Sequence, residues 1–313
     1  MSAAAMMIVA LFLAACPSLA SAGGGFYENF EVVWGDDPHP ERRVNVIDDG
    51  RVVSLTLNNV SGSGFQSRDA FLFGEFTMAM KLVPGDSAGT VTTFYLTSKD
   101  PTAAGDGHDE IDFEFLGNVS GEPYLLQTNV FAQGVGNREQ RSYLWFDPTQ
   151  DFHNYTILWN PLNIIFSVDG TPVRVFSNHE SLGLPYLSRQ PMKVHATIWD
   201  GSAWATRGGR DKTDWSHAPF VASYRTYGTA SACVSSSPAS DNGGAPTFCC
   251  PTNAVSGDDG GWMTRRLGPD GERAMASARD KYMVMDYCED PWNMGRPAEC
   301  DIDQLGSGGR AST

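Results

Sequence analysis

Apolar and polar residues alternate with a period of two in short runs along most of the chain. That period places alternate side chains on opposite faces of an extended strand, so each run predicts a β-strand with one buried face. Asn, Asp, Gly and Pro, which are typical of tight turns, separate the runs. The runs are 52–57, 71–82, 89–96, 110–115, 124–131, 140–146, 155–159, 164–168 and 192–199. No helical period of comparable strength occurs before Thr206, and this distribution predicts an antiparallel β-sandwich.

The composition changes after the last of these runs. Ser, Ala, Gly and Cys dominate from about residue 222 to residue 251, which indicates the exit from the sandwich. Gly271–Tyr287 is the strongest helix candidate, because Ala and charged residues are frequent there. We therefore predict a signal peptide at 1–22, a main β domain at 23–225 and a C-terminal extension at 226–313.

One predicted strand carries three acids on one face. Glu110, Asp112 and Glu114 occupy alternate positions, and apolar residues stand between them. Like charges in a row repel one another and reduce core burial, so fold stability alone does not explain the pattern. Three interpretations are open: a retaining glycosidase, a calcium site with oxygen ligands, or an exposed acidic strand. A retaining glycosidase needs carboxyl groups about 5–5.5 Å apart, whereas Cα atoms at i and i+4 lie about 13 Å apart, so the side chains must converge.

Charge and composition narrow the choice of partners. The 313 residues carry a net charge of −15 at pH 7, which argues against nucleic acid and against anionic membrane surfaces. A neutral polymer is compatible with that charge. The 33 glycines and 18 prolines favour many strands joined by tight turns. No phosphate-binding loop and no Ser/His/Asp order competes with the acidic strand.

The N-terminus has the pattern of a secretory signal. An apolar run at 4–15 is followed by small residues at 20–22, and it is too short for a membrane span. Residues 13–16, Leu-Ala-Ala-Cys, also resemble a bacterial lipoprotein acylation site, and under either interpretation the protein leaves the cytosol. Five cysteines follow in the last third of the chain, where disulfides are the default for an exported protein. No CxxC spacing or His partner indicates zinc, and we expect no metal and no cofactor.

The acidic strand lies within a longer motif. The ten residues His108–Gly117 (HDEIDFEFLG) resemble the active-site signature of the xyloglucan endotransglucosylase/hydrolases, plant cell-wall enzymes of glycoside hydrolase family sixteen. The resemblance extends over residues 26–300. It implies an all-β, concanavalin-like β-jelly-roll sandwich with a small disulfide-bridged C-terminal extension containing a helix. It also implies a retaining mechanism with Glu110 as the nucleophile, Glu114 as the acid/base and Asp112 as the acid between them.

The same resemblance implies a set of sugar contacts. Amide and acid side chains on the strand after the acids, and in the loop that follows, suit sugar hydroxyls. Two indoles near turn glycines suit stacking on pyranose rings. The alternative meanings of such residues are ordinary sheet polarity and core tryptophan. The predicted contacts are Tyr95, Gln127, Asn129, Asn137, Glu139, Trp199, Trp204 and Gly208.

Covalent modifications also follow from the resemblance. Two bridges are expected, namely Cys288 with Cys300, and Cys233 with either Cys249 or Cys250. N-glycosylation sequons begin at residues 59, 118 and 154. Of these, Asn118 is the first choice, because members of the family commonly carry a glycan at this place.

The implied activity is cleavage of the β-1,4-glucan backbone of xyloglucan through a glycosyl-enzyme, followed by transfer to another xyloglucan chain in the cell wall. The runner-up is a xyloglucan-specific hydrolase, in which water resolves the intermediate. An alternative from another class is a glucan-binding lectin without catalytic activity. The expected partners are a xyloglucan donor and a xyloglucan oligosaccharide or polymer acceptor. We expect a secreted monomer located in the cell wall and apoplast.

Overall fold

The computed structural model describes residues 25–35, 42–99, 107–235, 248–251, 261–290 and 296–306. The signal peptide predicted at 1–22 lies outside these residues. No helix in the described part of the chain is long and apolar enough to cross a membrane. Strands account for most of the regular structure, as the period-two pattern predicts.

Within the described ranges, α-helices occur only near the two ends of the chain, and strands fill most of the stretch between them. The strands are β1 (Phe30–Trp34), β2 (Val44–Ile47), β3 (Val52–Leu57), β4 (Ser63–Ser67), β5 (Phe71–Lys81), β6 (Thr90–Thr97), β7 (Glu110–Leu116), β8 (Leu125–Phe131), β9 (Gln140–Tyr143), β10 (His153–Trp159), β11 (Asn163–Val168), β12 (Thr171–Ser177), β13 (Lys193–Asp200), β14 (Phe220–Ser235), β15 (Phe248–Cys249) and β16 (Met283–Asp286). The α-helices are α1 (Phe26–Asn29), α2 (Pro269–Tyr282) and α3 (Ala298–Gly306). Short 3-10 turns occupy Glu180–Leu182, Thr206–Gly208, Trp215–His217 and Trp262–Thr264.

Two antiparallel sheets form the body of the protein. The first sheet has the order β1-β4-β13-β6-β7-β8-β9-β16. The second has the order β12-β11-β10-β5-β14-β3-β2, and β15 pairs with β14. The chain crosses between the sheets several times, for example from β4 to β5 and from β5 to β6, as in a double-sheet jelly roll. The all-β sandwich predicted from the sequence is confirmed.

The core lies between the two sheets and receives one row of side chains from each strand. On β7, Ile111, Phe113 and Phe115 are fully buried. Phe113 packs on Tyr155 and Phe166 of the second sheet, with ring centroids 5.8 and 5.2 Å apart. Because side chains alternate along a strand, burial of these three residues turns the acids of β7 to the opposite face.

The C-terminal extension adds an edge strand to the first sheet. α2 begins at Pro269, whose fixed φ suits the first helical position, and it ends at Tyr282. The helix predicted for Gly271–Tyr287 is therefore wrong from Met283 onward. There β16 pairs with β9, and Val284 is exposed between two half-buried methionines. That alternation is the period of a strand, and pairing with the edge of β9 satisfies backbone groups that a sheet edge leaves open.

Buried ion pairs and hydrogen bonds fasten the extension to the first sheet. Arg138 Nε donates to Glu299 Oε1 at 2.6 Å, and the two side chains are 7% and 8% exposed. Arg279 Nη2 donates to Asp286 Oδ2 at 2.5 Å, and Gln140 Nε2 donates to the same oxygen at 3.2 Å. These contacts hold α2, α3 and β16 beside β9 and the loop that precedes it.

Among the described residues, two disulfides lie in the same part of the molecule. Cys288 is bonded to Cys300, which links the residues after β16 to α3. Cys233, near the end of β14, is bonded to Cys250. Of the two partners that the sequence left open for Cys233, the structure selects Cys250.

Candidate active site

We call the face of the first sheet that points away from the second sheet the open face. Glu110, Asp112 and Glu114 lie on it, since the residues between them are buried in the core. β7 is flanked by β6 and β8, so it is an interior strand of the sheet. The three acids are therefore held at fixed spacing on a rigid element.

The strand register gives each acid a neighbour on both sides. Glu110 lies opposite Thr97 and Phe131, Asp112 opposite Tyr95 and Asn129, and Glu114 opposite Thr93 and Gln127. Directly opposed residues of paired strands share a face. Three of the predicted sugar contacts, on β6 and β8, thus lie immediately beside the acids.

Asp112 is the most buried of the three acids, with 6% of its surface exposed. Burial raises the pKa of Asp112 well above its ordinary value, and the charges of Glu110 and Glu114 raise it further. Arg174 opposes this rise from the core side, where its Nη1 donates to the carbonyl of Thr128 at 2.9 Å. Asp112 therefore holds its proton to a higher pH than an exposed aspartate does, and it lies between the two glutamates on the strand.

The two glutamates differ in their surroundings. Burial raises the pKa of Glu110, and a hydrogen bond with Thr97 opposes the rise. Burial also raises the pKa of Glu114; a hydrogen bond with Gln127 opposes this, while the charges of Glu110 and Glu139 add to it. A raised pKa suits a group that must donate a proton near neutral pH. Glu114, with two acids acting on it, fits that role.

A chain of hydrogen bonds positions Glu114. Arg141 Nε on β9 donates to Gln127 Oε1 at 2.6 Å, and Gln127 Nε2 donates to Glu114 Oε2 at 2.5 Å. Because the guanidinium occupies the amide oxygen, the amide nitrogen is the group that points at the carboxylate. Arg141 is not among the contacts predicted from the sequence, and only the register, which sets it opposite Gln127, reveals its place.

A second fixed amide lies further along β8. Asn129 Nδ2 donates to Glu139 Oε1 at 3.2 Å, while its Oδ1 accepts from the backbone N–H groups of Val130 and Arg138 at 2.9 and 3.1 Å. Asn137 is exposed in the loop between β8 and β9, and its φ of 59° lies in the left-handed region that Asn tolerates. The structure therefore brings Asn129 and Glu139 to the acids and leaves Asn137 at the rim.

His108 lies two residues before Glu110, the first acid of β7, and packs beside it. Its Nε2 lies 3.9 Å from Glu110 Oε2, and its ring stacks on Phe131 with centroids 5.2 Å apart. Its carbonyl accepts the backbone N–H of Gly134 at 2.6 Å. These contacts describe a residue that supports Glu110 from the side.

Tyr95 extends the site toward β13. Its ring stacks on His195, with centroids 4.9 Å apart and planes inclined by 24°. Burial, with the nearby charge of Lys193, lowers the pKa of His195 to about 4, so the imidazole is neutral near pH 7. Burial and the two nearest acids raise the pKa of Tyr95, so its phenol stays protonated. His195 was not predicted as a contact, although the alternation of polar side chains along 193–199 was a signal for it.

Trp199 and Trp204 form a half-buried aromatic pair at one end of the acid strand. Their ring centroids are 6.1 Å apart and their planes are tilted by 46°. They pack on a small cluster of Val91, Leu116 and Ala205, separate from the main core. Since Leu116 follows Glu114 by two positions on the same face, the indoles lie just beyond the proposed proton donor.

Gly208 and Asn118 lie at the periphery of the site. Gly208 is exposed with a φ of 69°, and an added Cβ would meet nothing within 4 Å, so the backbone conformation and not space favours glycine there. Asn118 is half-buried, and its Nδ2 donates to the carbonyl of Pro123 at 3.0 Å. Asn59 and Asn154, the other sequon asparagines, are exposed.

The arrangement has the parts of a nucleophilic and acid/base site. Two glutamates flank a buried acid, fixed amides surround them, and an aromatic pair borders them. Across the described ranges, no three His, Cys, Asp or Glu side chains are grouped as ligands of one metal ion. An antiparallel sandwich that carries such a row of carboxyl groups on its open face has the fold and the paired carboxyl groups of a glycoside hydrolase.

Comparison with known families makes this class more specific. The profile described as "Glycosyl hydrolases family 16" matches residues 26–217. The profile described as "Xyloglucan endo-transglycosylase (XET) C-terminus" matches residues 257–300. The chain belongs to glycosyl hydrolase family 16 and, within it, to the xyloglucan endotransglucosylase/hydrolases. The resemblance drawn from the acidic motif is confirmed.

Individual relatives agree with this assignment. Xyloglucan endotransglycosylase/hydrolase protein 8 of Oryza sativa subsp. japonica is 52% identical over 285 residues, which cover 90% of this chain and 91% of the relative. Putative xyloglucan endotransglucosylase/hydrolase protein 13 of Arabidopsis thaliana is 46% identical over 284 residues, covering 90% and 93%. Among solved structures, a prokaryotic β-1,3-1,4-glucanase (lichenase) from a mouse hindgut metagenome is similar, with 26% identity and a TM-score of 0.50. That match covers 64% of this chain and 94% of the glucanase.

Proposed function

We propose that the protein cleaves the β-1,4-glucan backbone of xyloglucan and transfers the released chain to the end of another xyloglucan. The observation that carries the proposal is the row of Glu110, Asp112 and Glu114 on the open face of an interior strand, with the middle acid buried. The names of relatives that cover nine-tenths of the chain supply the substrate. Transfer between such chains remodels the cell wall.

In the first step, the carboxylate of Glu110 attacks the anomeric carbon of the sugar at the cleavage point. Glu114 donates its proton to the departing glycosidic oxygen, so that the C–O bond breaks and a glycosyl ester of Glu110 forms. The hydrogen bond from Gln127 Nε2 to Glu114 Oε2 leaves the other oxygen of this carboxyl to carry the proton.

In the second step, a hydroxyl of the acceptor chain attacks the same anomeric carbon. Glu114, now a carboxylate, takes the hydroxyl proton, and the bond to Glu110 breaks. The two displacements together retain the configuration at the anomeric carbon. The raised pKa of Asp112 favours its protonated form, whose hydroxyl would stabilise the negative charge of Glu110 as this carboxylate departs.

Transfer requires that a sugar acceptor compete with water for the glycosyl-enzyme. β16 pairs with β9 and so widens the open face on the side of the acid strand where β8 lies. We place the acceptor on this side, beside the polar side chains of β8. Tighter binding of a sugar chain there by a few kcal/mol is enough to decide between transfer and hydrolysis. The sugar contacts assigned on both sides of the acids are Tyr95, Gln127, Asn129, Asn137, Glu139, Trp199, Trp204 and Gly208.

The test is incubation of the purified secreted protein with xyloglucan and a labelled xyloglucan oligosaccharide. Label that moves into polymer is the expected result. A fall in polymer length without incorporation would make the protein a hydrolase. Binding with neither change would make it a lectin and contradict the proposed activity. A chelator of divalent ions separates this proposal from a calcium site on the acid strand. The proposal predicts that activity survives the chelator, whereas a calcium site predicts that activity is lost.

We further infer that the protein is exported as a monomer to the cell wall and apoplast. The signal pattern at 1–22 and the bridges from Cys233 and Cys288 suit an oxidising compartment. The two matching profiles support a main domain at 23–225 and an extension at 226–313, joined through β14, which continues to residue 235. Glycosylation of Asn118 would replace one hydrogen of its Nδ2, and the other can still donate to the carbonyl of Pro123. Mass spectrometry of the mature N-terminus and of glycopeptides, with light scattering, tests these inferences.

A further inference from the structure

Trp34 lies on the open face, at the edge of the first sheet farthest from the extension. It ends β1, and the register runs from Trp34 through Gly64, Thr197 and Thr93 to Glu114. Opposed residues share a face, so Trp34 is on the same face as Glu114. Four strand spacings separate β1 from β7 in the sheet order, which is about 19 Å.

The indole of Trp34 occupies space that a glycine leaves free. A Cβ added to Gly62 would lie 2.8 Å from Cη2 and 3.1 Å from Cζ2 of Trp34. Nε1 of Trp34 donates to Oγ of Ser61 at 2.9 Å. The ring is thus fixed by packing and by a hydrogen bond at its edge, while 39% of the residue stays exposed. A ring held in this way loses little conformational freedom when a ligand stacks on it.

The position of this ring continues the aromatic pair of the active site. The Cβ that would touch Trp34 from Gly62 would also lie 2.1 Å from the carbonyl of Ile198, the residue before Trp199. Trp199 in turn contacts Trp204. Three indoles therefore follow one side of the acid row, from the edge strand β1 to the loop after β13.

A row of polar side chains runs beside these indoles. From Asp112 the register passes to Tyr95, then to His195, Gln66 and Glu31. Gln66 Nε2 donates to Glu31 Oε1 at 2.8 Å, so the far end of the row is also ordered. Hydrogen-bonding groups for hydroxyls and ring faces for pyranose stacking thus extend side by side from the acids to this edge.

We propose that Trp34 is a stacking platform for a sugar ring remote from the cleaved bond, at the end of the open face opposite the extension. This inference rests on the proposed function. Although β1 is four strand spacings from the acid strand, the ring itself lies over Gly62, just before β4. That position is three spacings, or about 14 Å, from the acid strand. A short oligosaccharide held at the acids therefore does not reach the ring. A longer chain does, and the platform therefore selects for chain length.

The test compares kcat/KM of wild type, Trp34→Ala and Trp34→Phe on two series of xyloglucan oligosaccharides of increasing backbone length. One series varies the donor and the other the acceptor. We expect Trp34→Ala to lose about three- to tenfold on the longest members of one series and nothing on the shortest. Trp34→Phe, which keeps a ring, should retain most of the wild-type value. The series that shows the loss assigns the platform to the donor or to the acceptor.

Val221→Ala is the matched control. Val221 is 37% exposed and lies on the outer face of the second sheet, between residues buried in the core, so its truncation should change no member of either series. An equal loss at every length in Trp34→Ala, or no loss at any length, would overturn the proposal. A wild-type protein that acts on none of the oligosaccharides would contradict the proposed function instead.

The hydroxyl that holds the indole gives a second test. Ser61→Ala removes the acceptor of the Trp34 Nε1 hydrogen bond, but it also destroys the sequon that begins at Asn59. Asn59→Gln removes the same sequon and keeps the hydroxyl. We expect Ser61→Ala to lose part of the preference for long chains and Asn59→Gln to lose none. Equal losses in both variants would refute positioning by Ser61.

Discussion

Removal of the amide that holds Glu114 should move the alkaline limb of the pH–activity profile upward. In the folded protein, Gln127 Nε2 donates to Glu114 Oε2 at 2.5 Å, and this hydrogen bond lowers the pKa of Glu114 against the effect of burial. Gln127→Leu replaces the amide with an apolar side chain of similar size and so deletes the donor. The carboxylate form of Glu114 is then less stable, so the group holds its proton to a higher pH.

The size of the shift follows from the kind of bond that is lost. A hydrogen bond to a charged group contributes about 1.5–3 kcal/mol. Since one pKa unit corresponds to about 1.4 kcal/mol, the alkaline limb should move up by roughly one to two units. Arg141 also lowers the pKa of Glu114 and holds the Gln127 amide at 2.6 Å, so Arg141→Met should shift the limb in the same direction.

The assay is the pH dependence of kcat/KM, whose alkaline limb reports the essential acid of the free enzyme. Glu139→Gln is the control of opposite sign, because the charge of Glu139 raises the pKa of Glu114 and its removal should move the limb down. Lost sugar contacts lower the whole profile without moving the limb. An alkaline limb that stays in place in Gln127→Leu, or that moves down, would refute the assignment of Glu114 as the proton donor.

Three further changes test the fold and its charges. Burial holds the pKa of Asp112 in the folded protein above its value in the unfolded chain, so wild type should lose stability as the pH rises from the unfolded toward the folded pKa. Asp112→Asn should not show this loss. Melting curves between about pH 3 and 8 measure the difference. Glu299→Ala leaves buried Arg138 without its partner and should cost about 3–5 kcal/mol in denaturant unfolding. The exposed ion pair of Asp301 is the control, and Asp301→Ala should cost less than about 1 kcal/mol. The depressed pKa of His195, about 4, predicts that wild type loses about 2 kcal/mol of stability between about pH 7 and 5, while His195→Gln does not. Equal unfolding costs for Glu299→Ala and Asp301→Ala would contradict the assignment of the buried ion pair. A variant Asp112→Asn or His195→Gln whose stability depends on pH as wild type does would contradict the assignment of that residue.

The acid strand could be found from the sequence because its information is local. Alternation over 110–115 specifies both the strand and the face that Glu110, Asp112 and Glu114 share. The same pattern predicts that the acids repel one another, but it does not show how deeply each of them is buried. The structure provides the burial, because each of the three carboxyl groups is desolvated and its own burial is the largest cause of its raised pKa.

Features that depend on pairing between distant segments of the chain could not be predicted from the sequence. Arg141 reaches Glu114 only through Gln127, and His195 joins the site only because β13 lies beside β6. Met283–Asp286 has helix-compatible residues, yet the free edge of β9 makes it a strand. Local propensity is a weak guide wherever a sheet edge offers an alternative.

The central claim is that Glu110 bonds to the sugar while Glu114 carries the proton. Azide rescue tests it most directly, because azide replaces whichever carboxyl group has been removed. Glu110→Gly and Glu114→Ala are each incubated with azide and an activated aryl glycoside of a xyloglucan oligosaccharide, and NMR reads the anomeric configuration of the product. The expected products are the α-glycosyl azide, from direct attack, in Glu110→Gly and the β-glycosyl azide, from attack on the glycosyl-enzyme, in Glu114→Ala. The reverse pattern, or unimpaired turnover of either variant without azide, would contradict the claim.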